Sequence, residues 1–234
     1  MKLRLLTTAL LVAACSASAF AEYKSFTYTD PTEPSLNLMG HFRRFSDNGR
    51  WLVGGDYDLQ SGSYIVDTTN PAELYYFTNE GEFYDVADDG MVVGTHFTVE
   101  GEAKYEHAAI WRDGVWTRLP EPEDCRRRSF AMSVTPDGKR IAGYAYCHAS
   151  DVETGNKNYP VVWDWDEATQ SYIPTCYNGP EVGIAEGQLG FYVWDMSPDG
   201  QVLGGTMAVA AGSHLQTLLV NGKVKVWDTW ETRS

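Results

Sequence analysis

The chain has 234 residues, 32 of them acidic and 18 basic, for a net charge of −14 at pH 7. Such a surface repels phosphate backbones and anionic headgroups, which excludes nucleic acid and anionic lipid as partners. Acidity of this kind also keeps an exported protein soluble.

The chain opens with an export signal. Lys2 and Arg4 form a basic start, Leu5 to Ala14 an apolar run broken only by Thr7 and Thr8, and Ala19-Phe20-Ala21 a small-residue cleavage site before Glu22. The apolar run is too short to cross a bilayer as a helix, so residues 1–21 read as a removable signal peptide. An alternative begins at Val12-Ala13-Ala14-Cys15, which resembles a bacterial lipobox. Processing there would end the signal at residue 14 and place a lipid on Cys15, anchoring the protein to the outer membrane. Leu is the usual residue where Val12 stands, which favours cleavage after Ala21. Cleavage removes Lys2 and Arg4 and no acid, taking the net charge from −14 to −16. The remainder is long enough for one large β domain with a true core, and it contains no second apolar stretch that could span a membrane.

Residues 22–40 read as an N-terminal strand and linker, with Ser25 to Thr29 a lone strand candidate. Beyond them one grammar recurs four times. Its copies are Phe45-Ser46-Asp47-Asn48-Gly49, Val86-Ala87-Asp88-Asp89-Gly90, Val134-Thr135-Pro136-Asp137-Gly138 and Met196-Ser197-Pro198-Asp199-Gly200. Each is followed by a short apolar stretch that reaches a further glycine, at Gly54, Gly94, Gly143 and Gly204-Gly205. Pro presets φ in a tight turn, Asp bonds its own backbone, and Gly accepts φ > 0. Apolar residues flank each turn, so each copy reads as a β-hairpin.

A third apolar run follows in every copy: Tyr64-Ile65-Val66, Ala109-Ile110-Trp111, Val161-Val162-Trp163 and Leu218-Leu219-Val220. A fourth strand candidate comes next, clearest at 115–119, 171–175 and 224–227. Four strands per unit is the pattern of a propeller blade. The expected architecture is all-β, with blades over about 41–81, 82–124, 125–190 and 191–230. The turn glycines lie 41, 48 and 62 residues apart, a spread that suits blades with variable loops; residues 148–158 and 177–190 read as insertions.

The Thr135 and Ser197 turns with their following strands resemble the WD-like propeller repeat of TolB-type periplasmic proteins. His107-Ala108-Ala109-Ile110-Trp111-Arg112-Asp113-Gly114 resembles the HAF-type extracellular repeat of bacteria. The resemblance covers most of residues 41–227. It implies a bacterial envelope or secreted propeller, commonly a binding platform, and it says little about sites. Propellers close with ~4–8 blades, so four units make either a minimal ring or part of a larger one. The fourth unit already owns four strands, leaving the Ser25–Thr29 strand without a sheet to complete. An open array is therefore expected.

Candidate chemistry is sparse. Asp56 with Asp58, Asp164 with Asp166, and the Asp85–Gly90 stretch offer oxygen ligands, yet none supplies the full set a calcium loop needs. His41, His96, His107, His148 and His214 fall at no metal-ligand spacing, and no nucleophile elbow or phosphate loop appears. No catalytic residue, metal or cofactor is therefore expected. Arg126-Arg127-Arg128 is a compact basic run in an acidic chain, able to hold an anion or a partner's carboxylates, or to pair with the protein's own acidic loops. Trp111 and Trp163 occupy equivalent third-strand positions and should fill the space between blades.

Three cysteines follow the signal. Facing residues across the Thr135–Gly138 turn should have numbers summing to about 273, which sets Cys125 against Cys147 as a disulfide. Cys176, two strands away at ~9–10 Å, should stay a thiol.

The favoured function is a non-catalytic binding or scaffolding module, its protein or glycan partner unidentified, reaching a membrane only if Cys15 is lipidated. The rival is a propeller that binds or processes glycans at one face of the ring. Converging carboxylates with raised pKa, rimmed by exposed aromatics, would favour the rival. A funnel of aliphatics and scattered polar groups would favour the scaffold.

Overall fold

The computed structural model describes residues 41–55, 62–69, 74–77, 80–100, 103–123, 125, 128–147, 157–178, 182–183, 190–210 and 213–226. All of them fall in one compact unit, Met39–Ser234. The signal segment with Cys15, the Ser25–Thr29 strand, Asp56, Asp58, Arg126, Arg127 and His148 lie outside them.

The described residues form sixteen strands and four antiparallel four-stranded meanders. The first sheet is β1 (His41–Phe45), β2 (Trp51–Gly55), β3 (Ser63–Asp67) and β4 (Leu74–Phe77). The second is β5 (Gly81–Val86), β6 (Val92–Glu100), β7 (Ala103–Arg112) and β8 (Val115–Arg118). The third is β9 (Arg128–Val134), β10 (Arg140–Cys147), β11 (Lys157–Asp166) and β12 (Ser171–Cys176). The fourth is β13 (Gly190–Met196), β14 (Val202–Ala210), β15 (Ser213–Val220) and β16 (Lys223–Val226). Single parallel bridges join the second to the third and the third to the fourth, and each meander has the strand pattern of a propeller blade. Lys157 and Asn158, read from sequence as the end of an insertion, instead begin β11, where they pair with Cys147 and Tyr146 of β10.

The turns explain the repeat grammar atom by atom. In the third sheet, Thr135 Oγ1 donates to Asp137 Oδ1 at 2.7 Å and accepts from Arg140 N at 3.0 Å. The same carboxylate oxygen accepts from Lys139 N at 3.0 Å. Ser46 with Asn48 and Ser197 with Asp199 repeat the pattern. The glycines that close the turns have φ of +71° to +89°, a region costly to any residue with a Cβ. The second sheet carries Ala87 where the others carry a hydroxyl. Its loop is one residue shorter, closed by Ala87 N to Met91 O at 2.9 Å rather than by a pair five residues apart.

This geometry corrects the expected register. Thr135 N bonds Arg140 O, so the facing numbers sum to 275 near the turn and 274 beyond a bulge. Cys125 therefore precedes β9 instead of lying on it. It still forms a disulfide with Cys147, with Cα atoms 4.0 Å apart, and Leu119 and Cys125 are buried with Trp163 and Ile141 of the third sheet. Trp163 Nε1 donates to Pro120 O at 2.7 Å. Cys176 is a thiol, but its sulfur is closer than expected: all three Sγ atoms lie within 4.8 Å of one another. Cys147 faces Lys157 and Cys176 faces Val161. Lys157 and Val161 are four apart on β11, so both cysteines project from one face of the sheet.

Apolar side chains from adjacent sheets form the core. Trp163 is fully buried and packs with Met91, Val93 and Ala108 of the second sheet; Trp111 is buried with Val53 and Ile65 of the first.

Candidate functional site

Every first strand carries a β-bulge at one equivalent position. The pairing skips Arg43, Tyr84, Met132 and Trp194 in β1, β5, β9 and β13. In the second, third and fourth sheets the cause is written in the second strands. A Cβ at Gly94, Gly143 or Gly205 would come 1.8–2.0 Å from a carbonyl oxygen of the facing strand, so only glycine lets the bulged backbone approach. A bulge bends its strand and re-aims a side chain. Here all four re-aimed side chains line one recess of about 400 Å³, together with Arg44, Glu82 and Tyr144.

The recess has two unlike walls. On the first and second sheets it is charged: Arg43 donates to Glu82 Oε2 at 3.2 Å and lies over the Tyr84 ring, 4.5 Å from its centroid. The Tyr84 hydroxyl donates to the same Glu82 oxygen at 2.6 Å. Burial, then the Glu82 charge, pushes the Tyr84 phenol far up, so it remains a donor. On the third and fourth sheets the wall is aromatic. Trp194 stacks on Tyr192 at 5.9 Å and 8°, and Tyr144 meets both edge-on. Trp194 is 47% exposed, yet its indole N–H is fixed by Thr206 Oγ1 at 3.0 Å.

The next residue along each first strand behaves differently. Arg44, Asp85, Ser133 and Asp195, one from each sheet, close a polar ring. Arg44 pairs with Asp195 at 2.9 Å and lies 3.9 Å from Asp85. Ser133 Oγ donates to Asp85 at 2.9 Å and reaches Asp195 at 3.4 Å. Asp85 also accepts from Val134 N and Val86 N, each at 2.9 Å. Burial raises its pKa, opposed by those backbone bonds and by Arg44. The ring corrects the expectation of an open array: the first and fourth sheets touch at the axis through Arg44 and Asp195. Among the described residues no strand pairing joins those two sheets.

The discriminating features are thus mixed. A carboxyl with raised pKa and exposed aromatics are both present, but the carboxylates spend their lone pairs on the protein itself.

Of the basic run, Arg128 is described. It pairs with Glu106 of β7 and lies over the Tyr146 and Phe130 rings at 5.1 and 5.6 Å. Asp164 holds Arg140 at 2.6 Å, and Asp166 caps its own turn through Ala168 N and Thr169. His107 Nδ1 lies 2.6 Å from Glu121, and His96 stacks on Trp116. The residues that line the recess were not singled out from sequence. The recurring strand glycine was the available signal, since glycine inside a strand marks a bulge.

No protein-family model matches this chain, and no characterised protein matches it in sequence. Solved structures do. A protein assigned as TolB from Agrobacterium tumefaciens aligns with a TM-score of 0.51 at 15% identity over 81% of this chain and 63% of its own. A prolyl endopeptidase aligns at 0.50 and 12% identity, over 80% of this chain and 28% of its own. TolB from Acinetobacter baumannii gives 0.49 and 12%, over 80% and 43%. This chain therefore spans less than two thirds of each of those proteins. At such identity the likeness concerns architecture alone, and the architecture is that of a TolB-like β-propeller.

Proposed function

We propose that this protein is a non-catalytic binding module of the bacterial envelope or secreted fraction, built from WD-like repeats, that takes its ligand in the recess between Arg43 and Trp194. One observation carries the reading. Four equivalent bulges aim side chains into a single recess, while the groups beneath that could do acid–base work are tied to one another in the Arg44–Asp85–Ser133–Asp195 ring. A general base must reach a substrate proton, and Asp85 accepts from Ser133 and two backbone amides instead. The exposed Trp194 ring favours a glycan over a protein surface as the ligand.

The test is turnover. Chromogenic glycosides and peptide amides should be left intact by the purified protein. Cleavage that disappears in Asp85→Asn or Asp195→Asn would overturn the non-catalytic reading. Fractionation tests the address: the mature chain should begin at Glu22, and a lipid on Cys15 would replace a secreted or periplasmic protein with an anchored one.

A further inference from the structure

We infer that the recess recognises a neutral pyranose unit of an oligosaccharide, an inference that rests on the binding reading above. Three features of the cavity point to this chemistry. The first is the platform. Trp194 presents an exposed ring held flat against Tyr192, with its indole N–H tethered to Thr206. A rigid aromatic face of this kind accepts a flat C–H surface and loses little entropy in doing so.

The second feature is the opposite wall. Glu82, Arg43 and the Tyr84 hydroxyl stand together there. A carboxylate and a guanidinium side by side offer acceptors and donors at once, which is what a row of hydroxyls needs, each being donor and acceptor.

The third feature is charge. Arg43 is balanced by Glu82, and Arg44 by Asp195. A uronate would have to compete with Glu82 for Arg43 and with Asp195 and Asp85 for Arg44, the two cations of the lining. A lysine, arginine or amino sugar would gain cation–π attraction from Trp194 but would face two guanidiniums. A neutral ligand with one apolar face and one hydroxylated edge satisfies both walls. The volume, about 400 Å³, lies in the range of small-molecule pockets, ~300–1,000 Å³.

The experiment is isothermal titration calorimetry of the full mature chain against five probes: maltotriose, cellotriose, a galacturonic acid trimer, a chitosan trimer and an arginine tripeptide. At least one neutral trimer should bind, with Trp194→Ala weakening it at least about tenfold and Trp194→Phe by no more than about threefold. Urea unfolding of each variant establishes that the fold is kept. If Trp194→Ala does not fold, Glu82→Gln serves in its place, with an expected loss of about threefold or more. Binding of neither neutral trimer, or neutral binding indifferent to these substitutions, overturns the inference. Preference for the uronate, the amino sugar or the peptide through Trp194 also overturns it, while leaving the recess as a binding site. Hydrolysis of any probe would instead overturn the non-catalytic reading.

Discussion

Consecutive residues on the same four strands do opposite things. Arg43, Tyr84, Met132 and Trp194 open onto a recess, whereas Asp85 and Ser133 are buried and, with the partly exposed Arg44 and Asp195, satisfy one another. The bulge separates the two fates, since it inserts one residue and sends neighbours to different environments. The inner layer spends its polar groups on cohesion. The outer layer keeps an exposed tryptophan and a hydrogen-bonding wall, groups whose worth is realised with a guest. Stability and recognition are therefore divided between adjacent positions rather than between distant regions.

That division can be broken by mutation, starting where the effect is greatest. Asp85→Ala removes the acceptor for Ser133, Val134 N and Arg44 at once, and leaves buried donors unmet. Unfolding in urea should show a loss of about 3–5 kcal/mol. Trp163→Ala, in the core between the second and third sheets, should cost a similar ~3–5 kcal/mol and serves as a yardstick from outside the ring. Ser133→Ala deletes one hydroxyl of the ring and should cost roughly 1 kcal/mol. Trp194→Ala, in the recess, should move the urea midpoint least of all. A Trp194 variant as destabilised as the Asp85 variant would show that the outer layer is structural too, and the comparison would fail.

Acid titration sharpens the same contrast. Asp67, on the first sheet away from the axis, is held at about 2 chiefly by its hydrogen bond with Arg50. Its folded pKa lies below the unfolded value near ~3.9, so its contribution is present above that value and is lost as pH falls toward about 2. Asp85 has the opposite sign. Its folded pKa is raised by burial, so the folded state holds the proton more tightly, and ionisation costs stability as pH rises past the unfolded value. Urea midpoints measured from pH 2.5 to 6 should therefore flatten at the acid end in Asp67→Asn. In Asp85→Asn the decline on the alkaline side should disappear. The same slope in both variants would contradict this assignment.

Much of the fold could be read from residues in sequence order, because its rules are local. A hydroxyl, an Asx and a glycine at fixed offsets specify a turn within six residues, and apolar runs on either side specify the hairpin. The second sheet shows the limit of that rule: Ala87 supplies no hydroxyl, and the loop answers by losing a residue. The interblade positions of Trp111 and Trp163 were legible for the same reason, as equivalent places in a repeat. The recess was not. Arg43, Tyr84, Met132 and Trp194 share no side-chain chemistry, so no comparison of residue types would group them. They are united only by the glycines of the neighbouring strand, each of which faces the residue just before the bulged one. The axial ring was hidden further still, because Arg44 and Asp195 are 151 residues apart and meet only once four sheets have been arranged around them. The nearness of Cys176 to the Cys125–Cys147 bridge was missed because strand count gives spacing along a sheet and says nothing of which face a side chain leaves.

The sheets are not joined alike. A backbone bridge links Glu106 to Arg128 between the second and third, and another links Asn158 to Gly190 between the third and fourth. Between the first and second, the described residues have no such bridge. The Ser63 hydroxyl stands in for it, accepting from Phe83 N at 3.0 Å and donating to Gly81 O at 3.3 Å. A side-chain rotamer is a weaker tether than a peptide pair, because it can swing away without disturbing its own strand. In the language of native-state amide exchange, the first sheet is then the unit that opens at the lowest free energy. Its amides would trade with solvent while the other three sheets still hold theirs, and the Arg44–Asp195 contact would come and go with it.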